Sequence, residues 1–219
     1  MDNQEKFELA YQCVVLSVEA YSRHHDLSRI NHELLNVYDK DHTQAIVTTN
    51  GKLKFLAYRG SESAKDFLND LKYVKTDWEK GGRVHAGFKR AYEALDIEEE
   101  VDVVTGHSLG GAVALLRVSD RNAKYAFTFG CPRVGNQNFK PTIKCPVFRF
   151  VNHLDTVTHV PPPTSFVQAF NALRNLRTPS FYNHIGEKIG LSGYRHSSDQ
   201  YEEGVLEILS DIRKELDAN

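Results

Sequence analysis

The chain has 219 residues, enough for one compact domain of about 200 residues rather than two. Hydrophobic residues make up 41% and charged residues 26%, the balance of an ordinary soluble globular protein. With a formal net charge of −2 and no long Lys/Arg cluster, nothing points to a polyanionic partner, so nucleic-acid binding is set aside. Met1 is followed by Asp2, Gln4, Glu5 and Lys6 rather than by a basic segment leading into an apolar run. No secretory signal peptide is read there, and a cytoplasmic location is expected, with a secreted mature form left open. Apolar stretches such as Cys13-Val14-Val15-Leu16 are too short to span a bilayer. Cys13, Cys131 and Cys145 are an odd, irregularly spaced set, so three reduced thiols are expected and at most one pair could form.

In chain order, Phe7, Tyr11, Val14, Val18 and Tyr21 recur at steps of three and four, the apolar stripe of a helix ending before His24. Ala45 to Thr49 and Leu53 to Tyr58 read as strands, and the Asn50-Gly51 between them signals a hairpin. Ala64 to Leu71 is a candidate short helix, Gly81-Gly82 a break, and Val84 to Leu95 a helix. Val101 to Val104, Tyr125 to Phe129 and Val147 to Val151 read as buried strands, with a helix over Leu109 to Val118 between the first two. An amphipathic helix marked by Tyr201, Val205, Ile208, Leu209, Ile212 and Leu216 closes the chain. Strands alternating with helices imply crossover connections, an α/β fold and a largely parallel central sheet flanked by helices. No repeat or charged linker divides it, so residues 1–219 are expected to form one domain.

The chemistry lies in Gly106-His107-Ser108-Leu109-Gly110, a Gly-x-Ser-x-Gly directly after a β-branched strand and directly before an Ala-rich helix. On so sharp a turn the serine takes a strained conformation, and the glycines remove side chains that would collide as strand and helix close together. The hydroxyl then stands at the positive end of the helix, where a developing oxyanion is stabilised. The segment has neither the Lys-Ser/Thr that ends a phosphate-binding loop nor Gly-x-Gly-x-x-Gly. His107 reads as the variable residue of the turn.

A serine hydroxyl needs a base and an orienting acid, and these follow the nucleophile in the order Ser, acid, His. Asp155, just past the strand Val147 to Val151, is placed to be the acid. His159 lies too close to it in sequence to reach back over the serine. His184 and His196 both remain as bases, His196 in the polar loop Tyr194 to Ser198 ahead of the last helix. None of this chemistry needs a metal or cofactor. The ten histidines, His24-His25 included, show no His-Glu-x-x-His or Cys/His spacing for zinc.

Five segments in order resemble the class 3 lipases, the α/β-hydrolase group typified by filamentous-fungal triacylglycerol lipases. They are Tyr58 to Ser61, Val84 to Phe88, Thr105 to Ala112, Phe127 to Asn136 and Asn152 to Val157. The resemblance implies an α/β-hydrolase fold and a serine ester hydrolase acting on acylglycerols or related lipid esters. It implies Ser108 as nucleophile, Asp155 as acid and His196 as base, with Ser61 and Leu109 as the oxyanion-hole residues. His184 then falls in a different segment, as a structural residue. Thr156 and Thr158 stand where the family often has proline, which implies a looser loop after Asp155. The family's lid helix corresponds to Ser63 to Leu71, which would meet either the acyl site or the core, and transient contact with a lipid interface goes with such a lid. Two rivals are a non-catalytic signalling or scaffold protein of the same shape, and a phospholipase or aromatic-acid esterase using the same triad.

Overall fold

The computed structural model describes residues 1–61, 74–161 and 181–217. The expected short helix at Ala64 to Leu71 and the lid reading of Ser63 to Leu71 fall outside them. Seven strands form the main sheet in the order β1-β2-β3-β6-β7-β8-β9. They are β1 (Glu33–Lys40), β2 (Thr43–Thr49), β3 (Lys54–Tyr58), β6 (Val103–His107), β7 (Tyr125–Phe129), β8 (Val147–Asn152) and β9 (Glu187–Leu191). The β1–β2 and β2–β3 pairs are antiparallel, and every pair from β3 to β9 is parallel. A separate ribbon joins β4 (Lys75–Asp77) to β5 (Arg83–His85).

Helices cover both faces, as a parallel sheet requires. The first helix, α1 (Asn3–Glu19), and the last, α4 (Ser198–Asp217), pack together on one face. Their apolar stripes meet Phe55, Val103, Phe127, Phe129 and Phe150. On the other face α2 (Ala86–Leu95) and α3 (Leu109–Asp120) cover Val47, Leu56, Val104 and Ala126. Successive residues of β6 therefore feed opposite cores, Val103 one and Val104 the other, which is why the strand reads as an unbroken apolar run.

Among the described residues the expected elements stand with shifted bounds, apart from one segment. Val84 and His85, read as helical, belong to β5; the helix starts at Ala86, where the His85 ring caps it by accepting the Gly87 N–H at 3.0 Å. A capping side chain needs an extended backbone, and His85 has φ −66° and ψ 127°. Two strands of the main sheet carried no readable signal. All but one residue of β1 is exposed and most of β9 is exposed, so neither shows the alternation that marks a half-buried strand. The β1–β2 turn is made by Asp41 and His42, both left-handed at φ 50° and 63°, in place of the usual Asn-Gly. The three cysteines are free.

Candidate active site

The strand order puts the ends of β3, β6, β7 and β8 side by side, and the candidate residues hang from those ends. Ser108 follows β6 directly, with φ 56° and ψ −123°, outside the comfortable regions for a side-chain-bearing residue. Holding it there costs on the order of 1–3 kcal/mol, which the surrounding packing must impose. The neighbouring glycines show how. A Cβ on Gly106 would lie 2.3 Å from the Gly110 carbonyl carbon, and one on Gly110 would lie 2.1 Å from the Tyr58 carbonyl oxygen. Strand and helix thus touch backbone to backbone, and α3 starts against the end of β3. The Ser108 N–H donates to the Phe129 carbonyl at 2.9 Å, tying the turn to β7.

Asp155 lies just beyond β8 and is 1% exposed. One carboxylate oxygen, Oδ1, accepts the Val157 N–H at 2.8 Å, while the other, Oδ2, accepts from His196 Nδ1 at 2.7 Å and from the Tyr201 hydroxyl at 2.5 Å. Three donors therefore fix the carboxylate in direction. Its donor Tyr201 is itself anchored, accepting the Asn152 N–H at 3.1 Å. Burial first, and then the negative charge of Asp155, pushes the Tyr201 hydroxyl far above its usual range, so it remains a proton donor.

The loop carrying His196 is fastened to the end of β8. Asn152 Nδ2 donates to the Arg195 carbonyl at 2.8 Å, and the His153 N–H donates to the Gly193 carbonyl at 2.8 Å. A Cβ on Gly193 would lie 2.7 Å from the Asn152 amide group, so this contact needs glycine. Gly130, at φ +58° just past β7, makes room for the imidazole: a Cβ there would lie 2.7 Å from His196 Cε1 and 2.9 Å from Asp155 Oδ2. His196 Nε2 is buried and has no hydrogen-bond partner among the described residues. The bond to a serine hydroxyl is often loose in an unliganded site and tightens with substrate.

Asp155 and His196 are thus joined, and the serine turn is bonded to Phe129, next to the Gly130 on which both pack, whereas no contact ties His184 to them among the described residues. His184 follows an isolated bridge between Gly135 and Asn183, and its pKa is pushed down to about 3 by burial and by the charges of Arg149, Arg133, His159 and Lys188. Ser61 and Leu109 line one cavity of about 450 Å³ together with Asp39, His42, Thr43, Gln44, Arg59 and Gly60. Several contributors went unnoticed in the sequence. Tyr201 stood only as a helix marker, His107 as a variable residue, and Gly130 as part of a matching segment without a role. Gly130 had a signal available, a glycine closing a buried strand next to the one bearing the serine.

A three-layer α/β sandwich with a strained serine at a strand–helix junction and a His held by a buried Asp beyond a later strand defines the α/β-hydrolase type of site. Residues 55–165 match the family model described as Lipase (class 3), and the chain belongs to that family. It is 35% identical over 156 residues to a lipase of Rhizopus oryzae, covering 55% of this chain and 40% of that protein. It is 40% identical over 124 residues to an Arabidopsis thaliana chloroplastic phospholipase A1, Igamma1, covering 47% of this chain and 24% of that one. Among solved structures, the Rhizomucor miehei lipase propeptide complex superposes with a TM-score of 0.69 at 26% identity, over 88% of this chain and 70% of the other. The chain spans about two fifths of the length of the fungal relatives it matches in sequence. No helix among the described residues is long and apolar enough to cross a membrane.

Proposed function

We propose that this protein is a serine carboxylic-ester hydrolase acting on acylglycerols or related lipid esters through Ser108, His196 and Asp155. The observation that carries the proposal is the 2.7 Å Asp155–His196 contact beside a serine held at positive φ. His196 Nε2 takes the proton of the Ser108 hydroxyl as its oxygen attacks the ester carbonyl. Asp155 fixes the imidazole with its proton on Nδ1 and stabilises the imidazolium that forms. The N–H groups of Ser61 and Leu109 receive the developing oxyanion, aided by the positive end of α3. The imidazolium then protonates the departing alcohol, and a water molecule, activated by the same base, releases the acid and restores Ser108.

The match to a phospholipase A1 supports a second substrate reading, a glycerophospholipid cleaved by the same steps. Three free thiols support the expected reducing, intracellular setting, whereas one relative is a secreted mono- and diacylglycerol lipase of Fusarium solani. The test is hydrolysis of p-nitrophenyl esters of graded chain length, emulsified acylglycerol and phospholipid vesicles by wild type and Ser108→Ala. Activity that disappears in the variant supports the hydrolase, and the preferred substrate separates the two readings. A wild type inert on every ester would favour the non-catalytic alternative.

A further inference from the structure

His107 precedes the candidate nucleophile and belongs to neither the triad nor the oxyanion hole, yet it is 5% exposed and contacts the ring of His196. Its ring lies against that of His196, centroids 4.6 Å apart and planes 32° from parallel. Its Nδ1 is 3.1 Å from the Tyr21 hydroxyl. That hydroxyl packs on the oxyanion loop, where a Cβ on Gly60 would lie 2.1 Å from it. The contacts form one chain, running from Gly60 through Tyr21 and His107 to His196. The edge of Tyr201, which donates to Asp155, closes on His107 from α4, centroids 5.7 Å apart.

We propose that His107 is a positioning residue for His196, holding the base by ring contact and coupling it through Tyr21 to the loop that carries Ser61; the inference rests on the hydrolase reading above. A base that must swing neither away from Asp155 nor past Ser108 needs a surface on its open face, and His107 supplies that surface. The surface must also stay uncharged. When His196 becomes an imidazolium, a neutral aromatic ring beside it attracts the cation, whereas a second cation at 4.6 Å would repel it. Burial, then the neighbouring His196, holds His107 well below the usual histidine range and keeps it neutral.

The experiment compares His107→Ala, His107→Phe and Tyr21→Phe, each checked for native circular dichroism, by kcat and KM on a soluble ester and by the low-field proton NMR signal of the His196–Asp155 hydrogen bond. Loss of the ring in His107→Ala lowers kcat by about 30- to 100-fold with little change in KM, the size expected of a misplaced catalytic group. The low-field signal broadens or vanishes with it. His107→Phe, which restores a flat ring, recovers kcat to within about 10-fold of wild type. Tyr21→Phe keeps the ring but cuts its tether and lowers kcat about 3- to 10-fold. A folded His107→Ala with kcat within twofold of wild type overturns the proposal, and so does a His107→Phe as impaired as His107→Ala. Should neither His107 variant fold, Tyr21→Phe decides: unchanged kcat and an unchanged low-field signal overturn it. The NMR signal needs no turnover, so a wild type inert on esters, which would sink the hydrolase reading, still leaves the ring contact measurable.

Discussion

The two halves of the candidate site are held by different means. Ser108 is fixed by backbone: Gly106 and Gly110 let main chains touch, and the serine's own N–H bonds to β7. His196 is fixed by side chains from separate elements, namely Asp155 beyond β8, Asn152 on β8, Tyr201 on α4 and His107 on β6. A backbone-built site leaves a short local pattern in the sequence, while a side-chain-built one scatters its parts over a hundred residues. The nucleophile should consequently tolerate changes in distant side chains, and the base should not.

The sharpest way to break this contrast is Asp155→Asn. It keeps the shape but presents the wrong partner to His196 Nδ1, and kcat should fall on the order of 10⁴-fold while the fold is retained. Gly130→Ala attacks the same arm sterically. A methyl group 2.7 Å from His196 Cε1 must displace the ring, and kcat should fall about 100-fold. The positive φ of +58° adds roughly 1–2 kcal/mol of destabilisation, measurable by denaturant unfolding. Tyr201→Phe removes one of the two side-chain donors to Asp155 Oδ2 and keeps the packing. A loss of roughly 10-fold in kcat with unchanged KM is expected, the worth of one hydrogen bond to a charged group. Ser108 itself should remain reactive toward small phosphonylating agents in Tyr201→Phe, only more slowly.

The smallest expected effect separates stability from catalysis. Burial lowers the pKa of His32 from 6.5 to about 4, and burial with nearby positive charge lowers His184 to about 3. The unfolded chain takes up protons at these positions below about pH 6.5, whereas the folded chain resists until near pH 4 or below. Stability from these groups is therefore full above about pH 6.5 and is lost as pH falls towards 4. Thermal unfolding across that range should show Tm dropping, with a shallower slope in His184→Phe. Because His184 stands apart from Asp155, that variant should keep the activity of wild type at pH 8.

How much was legible follows from the same contrast. β6, the glycine turn and α3 form one contiguous run in which strand propensity, glycine placement and helix propensity agree, so Ser108 could be read directly. Asp155 was legible from its place after a buried strand. The residue pattern alone left His184 and His196 open, because what separates them is Asn152 gripping the His196 loop and Tyr201 gripping Asp155, contacts 43 and 46 residues long in sequence. β1 and β9 were invisible, since an exposed strand has no buried face to impose a period. His107 was taken as interchangeable because its partners, Tyr21 and His196, lie 86 and 89 positions away in opposite directions along the chain.

The central claim is that Ser108 is activated by His196 on Asp155, and fluorophosphonate labelling followed by peptide mass spectrometry tests it most directly. The account predicts an adduct on Ser108 in wild type and in His184→Ala, and a loss of labelling of at least about 100-fold in His196→Ala. Labelling that survives in His196→Ala and disappears in His184→Ala would contradict it.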